Sequence, residues 1–162
     1  MKVLFLLFMC LAPPTPEALI ESHIKSWFSG LYPKVQERAL SYIPKIAEEA
    51  NKHDLDPFWV ATVITVESGW RHRSVSFRNK GNGLMQVHGV CAKGYDLNTP
   101  EGQIEAGVSC FRKGLDLCGE DFKKAVTIYL TGTCTTKDEN VKKQVRYRLF
   151  KYKSWKKKAA RI

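Results

Sequence analysis

The stretch Thr65-Val66-Glu67-Ser68-Gly69-Trp70 ends an uncharged run, Phe58 to Val66, on a carboxylate. A side chain in that place can do acid–base chemistry if the fold keeps it away from bulk water. Ser76 follows nine positions later, then Gly83-Leu84-Met85-Gln86 with His88 close behind, and Tyr129 further along. Hydroxyl, amide, imidazole and phenol groups are the types that hold a polar substrate beside an acid. The bland reading is that Glu67 is a surface residue, that Ser76 and Gln86 tie down a loop, and that His88 sits on the surface. In the same reading Met85 and Tyr129 belong to the core. The four histidines (His23, His53, His72 and His88) show no ligand spacing and no Cys-x-x-Cys occurs, so no metal site is expected. There is no phosphate-binding glycine loop or dinucleotide motif, and no cofactor is expected.

These residues need elements to position them, and the punctuation is helical. Ile43, Ile46, Ala47 and Ala50 recur at spacings of three and four, which predicts a helix near Tyr42–His53. "HDLDP" breaks it. Asp56 can cap a new helix, Pro57 suits its first turn, and Gly69 can end it. On that helix Phe58, Ala61 and Ile64 form one row, and Val60, Val63 and Glu67 the next. Glu67 therefore falls in the last turn, facing the negative end of the helix dipole and next to a buried row. Both features favour the protonated carboxyl that a general acid must offer. From Trp70 to Gly89 no period is sustained, and Gly81 and Gly83 read as turn residues. Thr99-Pro100-Glu101 opens another helix, with Ile104, Val108, Phe111 and Leu115 as its stripe and Gly119 as its stop. A shorter one runs from Asp121 to Thr131 and stops at Gly132. The expected class is mainly α, in one compact domain.

With 44% hydrophobic residues and eighteen aromatics in 162, the chain can bury a core, which excludes disorder of the whole. The net charge of +10 is localised: residues 141–162 hold ten Lys and Arg and no acid, and residues 1–140 are balanced. This divides the chain into 1–18, 19–140 and a basic C-terminal tail, 141–162. The tail would attract a polyanion, an anionic membrane surface or a protein machine, or would be a solvated helix end. The amino terminus, "MKVLFLLFMCLAPP", has nine apolar residues after Lys2, too few to span a bilayer, and reads as a signal peptide. Ala12 and Ala18 are candidate cleavage points; the alternative is an apolar arm. If Cys10 leaves with it, Cys91, Cys110, Cys118 and Cys134 remain, an even count that reads as two disulfides in an exported protein. Cys110 and Cys118 share a predicted helix, roughly 12 Å apart at about 1.5 Å per residue, too far to bond to each other. Two pairings stay open: 91–110 with 118–134, or 91–118 with 110–134.

"ESGW", Ser76 and "GLMQ" at this spacing resemble the lytic transglycosylases with a goose-type-lysozyme-like fold. "IAEEANKHDLDPFWVATVITVESG" is similar to the helix pair that introduces that family's catalytic glutamate. Ile128-Tyr129-Leu130-Thr131-Gly132 stands where the family usually has Ala-Tyr-Asn-Ala-Gly. The likeness covers about residues 40–135. It implies a lysozyme-like helical domain with a sugar-binding groove, peptidoglycan glycan strands as partner, and a monomeric enzyme. The implied reaction cleaves the β-1,4 bond between N-acetylmuramic acid and N-acetylglucosamine and leaves a 1,6-anhydro end. Glu67 would be its acid and then its base, with Ser76, Met85, Gln86, His88 and Tyr129 on the substrate. Leu130 and Thr131 depart from the pattern, and the Glu67-to-Gly83 spacing is about one residue longer than the family's.

No Asp or Glu lies between Glu67 and Asp96, which suits a one-acid mechanism in which the sugar's own C6 hydroxyl attacks C1. A goose-type lysozyme that adds water is the alternative, and would need Asp96, Glu101 or Asp116 to face Glu67. A non-catalytic glycan- or polyanion-binding protein anchored by its tail is another. The expected location is the periplasm or cell envelope, or a phage particle.

Overall fold

The computed structural model describes residues 14–28, 32–75 and 82–159. The apolar amino terminus and Ser76 lie outside the described residues. The fold is mainly α, with seven α-helices among the described residues: α1 Pro16–Phe28, α2 Pro33–Ser41, α3 Ile43–Lys52, α4 Pro57–Ser68, α5 Pro100–Leu117, α6 Phe122–Thr131 and α7 Glu139–Ala159. A short 3-10 turn covers Gly89–Cys91. Pairing between extended segments is limited, among the described residues, to isolated antiparallel bridges of Asn82 with Val75 and with Val87.

Helix α4 is the centre. Its residues Phe58 to Ile64 are all buried, so it is enclosed on every side rather than along one stripe. The hydroxyls of this buried helix are satisfied within it, while the buried Trp59 Nε1 has no partner among the described residues. Thr62, Thr65 and Ser68 each donate a hydroxyl proton to the carbonyl four residues back, at 2.7, 2.8 and 3.0 Å. Asp56 caps the start by accepting from the Phe58 N–H at 2.9 Å. Gly69 ends the helix in the left-handed region, φ 56°, and Trp70 follows at φ 67°. The pair turns the chain sharply and buries the Trp70 indole, whose Nε1 donates to Thr65 Oγ1 at 3.1 Å.

Around α4 lie α1, α3 and α7, while α5 packs on α3 and α6. Trp59 binds the layers together, with ring centroids 4.9 Å from both Phe111 and Phe122 and 5.8 Å from Tyr152. Such aromatic pairs contribute about 0.5–1.5 kcal/mol each beyond area burial. The Asp56, Thr99 and Asp121 caps and the left-handed Gly132 all stand where the sequence placed helix boundaries. Helices α1 and α2 add to the elements read from the sequence. Each buries few positions, Ile20 and Ile24 on α1 and Ala39 on α2, too few to give a readable period.

The basic segment beginning at Val141 is the greater part of α7. Its Val145, Arg148 and Trp155 are buried, with Val141 and Tyr152 partly buried beside them. Lysines 143, 153, 156, 157 and 158 are exposed. The disulfides are Cys91–Cys110 and Cys118–Cys134, with Cα separations of 5.3 and 5.7 Å, one of the two pairings left open by the sequence. They fasten the 3-10 turn and the segment after α6 to α5.

Candidate active site

Glu67 sits in the last turn of α4, where the buried helix reaches the edge of the core; its side chain is 14% exposed. It is sheltered without being sealed. Its partner is Arg148 of α7, whose side chain is 8% exposed. Arg148 Nη2 and Nε donate to the same carboxylate oxygen, Oε1, at 2.6 and 3.1 Å. The remaining guanidinium nitrogen, Nη1, donates to the Gln144 carbonyl at 3.3 Å. Burial and the helix dipole, the two influences on Glu67 readable from its own helix, leave out this cation. A signal for it exists: Val141, Val145, Arg148, Tyr152 and Trp155 recur at spacings of four and three, so Arg148 occupies a place on the inward face of an amphipathic helix. An arginine in such a row needs an anion.

Tyr129, on α6, is half-buried and donates its hydroxyl to the Met85 carbonyl at 2.7 Å. Burial raises its pKa, the Glu67 charge adds to this, and Arg148 opposes it. Tyr129 is therefore a neutral phenol that senses both members of the ion pair. Its hydroxyl proton is committed to Met85, and its oxygen keeps lone pairs able to accept.

The turn carrying Gly83-Leu84-Met85-Gln86 is built onto α5. Gln103, itself buried, accepts from the Leu84 N–H at 2.9 Å and donates to the carbonyls of His72 and Leu97 at 2.9 and 2.8 Å. One amide thus clamps three separate stretches of loop. Gly83 has φ +73°, and a Cβ there would stand 2.1 Å from the Gln103 side chain, so both conformation and space demand glycine. Met85 is buried against Gly107, where a Cβ would come 2.4 Å from its sulfur. What Met85 offers to the site is its carbonyl. Gln86, at φ 52°, donates from Nε2 to the carbonyls of Gly83 and Ser74 at 2.8 and 3.1 Å. Its side-chain oxygen accepts no hydrogen bond among the described residues.

Gln86, His88 and Tyr129 line one cavity of about 440 Å³, with Leu130 and Thr131 also in its wall. That volume lies in the range of small-ligand sites. Leu130 and Thr131, the two departures from the family pattern, therefore border this cavity, and Glu67 is not among its lining residues. A larger depression of about 750 Å³ between α1, α3 and the start of α4 contains none of the candidate residues. Glu49 is a second buried carboxylate, but Lys45 on its own helix pairs with it at 2.9 Å, with Lys52 and His53 nearby. The acids that a water-adding mechanism would need are engaged elsewhere or exposed. Asp116 pairs with Arg112 at 2.7 Å, Asp96 accepts from Asn98 at 3.0 Å, and Glu101 is exposed in the first turn of α5.

A helical domain with a sheltered carboxylate at the end of its central helix has the make-up of a lysozyme-like domain. The chain belongs to the transglycosylase family of the lytic type, for the family model described as Transglycosylase SLT domain matches residues 44–150. Comparison with curated proteins gave no match, and comparison with solved structures gave none. The family match takes in α4, the turn at 83–86, α6 and Arg148. Membership makes peptidoglycan glycan strands the implied substrate and a lytic transglycosylase the implied enzyme class. Two disulfides and a domain acting on peptidoglycan both point to an extracytoplasmic protein.

Proposed function

We propose that this protein cleaves the β-1,4 bond between N-acetylmuramic acid and N-acetylglucosamine by lytic transglycosylation, with Glu67 as the single acid and then base. Protonated Glu67 gives its proton to the leaving glycosidic oxygen as the C1–O bond breaks. The same carboxylate then takes the proton of the muramic C6 hydroxyl, whose oxygen closes on C1 to give the 1,6-anhydro ring. Gln86, His88 and Tyr129 hold the sugar, and Ser76 joins them. The observation that carries this reading is the sheltered place of Glu67 at the end of α4 within the family match. The absence of a second carboxylate between Glu67 and Asp96 supports closure by the substrate over attack by water.

The test is a zymogram on peptidoglycan with wild type and Glu67→Gln, followed by mass spectrometry of the released muropeptides. We expect clearing by the wild type only, a loss of about 10²–10⁴-fold in the variant, and anhydro ends. Clearing by Glu67→Gln ends the acid assignment, and reducing ends replace closure with hydrolysis.

Export to the periplasm or cell envelope, or carriage by a phage particle, fits the reading. A cut after Ala12 would leave α1 whole, and a cut after Ala18 would remove its first turn. The outward face of α7 supports a polyanion as a second partner. Tyr147 and Phe150 are 49% and 66% exposed there, among Lys143, Arg146, Lys153 and Lys157. Salt-dependent retention on anionic vesicles or DNA should fall when Lys143, Arg146 and Lys153 are changed to Glu, and unchanged retention would remove that role.

A further inference from the structure

Both hydrogen bonds from Arg148 to Glu67 fall on one oxygen. Oε1 receives Nη2 at 2.6 Å and Nε at 3.1 Å, and Oε2 accepts none among the described residues. A carboxyl held by one oxygen has its rotamer fixed and its other oxygen assigned. The holder is a guanidinium, which is charged at every working pH and whose planar fork resists rotation. It is held in turn by the Gln144 carbonyl and by its place in the buried row of α7.

We infer that Arg148 is a positioning residue for the reaction: it anchors Glu67 by Oε1 and leaves Oε2 as the oxygen that gives and takes the proton. The inference rests on the acid–base reading of Glu67. It assigns each proton to an atom. The Oε2 proton passes to the glycosidic oxygen as the bond to C1 breaks, and the C6 hydroxyl proton returns to Oε2 as C6–O bonds to C1. Between those events Glu67 carries a full negative charge, and a fixed cation against Oε1 stabilises that state without reorganising. Among the described residues, the groups facing Glu67 are Arg148 from α7 and Tyr129 from α6. Helix α4 carries no other charge, and Arg71 beyond it gives its Nε to the Ser68 carbonyl.

The experiment is steady-state kinetics on soluble glycan strands across the pH range for wild type, Arg148→Lys, Arg148→Met and Glu67→Gln, at a temperature where circular dichroism shows each folded. Arg148→Met should lose about 10²-fold in kcat with little change in KM. Arg148→Lys should recover part of the loss, and it carries the test alone if the Met variant does not fold. Wild-type or increased kcat in Arg148→Met, or a change in KM only, overturns the positioning role while an inactive Glu67→Gln leaves the acid in place. An active Glu67→Gln overturns the acid reading itself.

Discussion

Helices α4 and α7 run antiparallel and are joined by an ion pair at each end, and the two ends are built differently. At the start of α4, Asp56 is satisfied several times over. It accepts from the Phe58 N–H at 2.9 Å, from the Tyr152 hydroxyl at 2.7 Å and from Lys156 at 2.7 Å. Its negative charge sits at the helix N-terminus, which favours it. Lys156 is 53% exposed, and water can take its place. At the other end Glu67 has one partner residue among the described residues, Arg148, with both side chains largely withdrawn from solvent. The helix dipole there disfavours a negative charge. One end is a redundant clasp; the other concentrates a charge and a single described counterion, Arg148, at the mouth of the core. Acid–base chemistry needs the second arrangement, because only there does moving one proton change much.

The contrast breaks first on activity. Glu67→Gln should remove lysis by about 10²–10⁴-fold. It sharpens on stability. Arg148→Met strands a sheltered carboxylate and should cost about 3–5 kcal/mol in a denaturant melt. The double variant Glu67→Leu with Arg148→Met should regain much of that while staying inactive, since a buried pair replaced by apolar groups is often neutral. A double variant less stable than either single would make the pair a structural clasp like its counterpart.

How far the sequence reads into this arrangement depends on where information is local. Asp56, Pro57, Gly69, Thr99 and Gly132 mark helix ends because a cap or a left-handed turn is chemistry within a few residues. The Cys110–Cys118 spacing along one helix already left two pairings. The Gln103 clamp was not legible, since its partners are backbone groups of residues 72, 84 and 97, which leave no trace in side-chain pattern. Arg148 is hidden for another reason: ten cations in one segment mask the single one that stands in the buried row with Val145 and Trp155.

A smaller effect separates the outer end of α7 from the rest. His23 of α1 packs on Trp155 with ring centroids 4.0 Å apart. Burial first, and the Lys158 charge second, lower its pKa to about 4 from 6.5. The folded protein then keeps a neutral imidazole where the unfolded chain would bind a proton. Stability from this site is complete above about pH 6.5 and is lost as pH falls towards about 4. The melting temperature should drop between about pH 7.5 and about pH 4.5 by several degrees more in wild type than in His23→Phe. Equal drops would mean that the imidazole does not titrate with unfolding.

The smallest effect belongs to Lys156. Its ammonium is half in water, and Asp56 keeps two other partners when it goes. Lys156→Met should change stability by less than about 1 kcal/mol, and the difference should fade as salt rises through about 1 M. Arg148→Met, whose partner is sheltered, should show a deficit that salt barely alters. Equal and equally salt-sensitive losses at the two positions would mean that Glu67 is as well hydrated as Asp56. It could not then be the withheld acid that the chemistry requires.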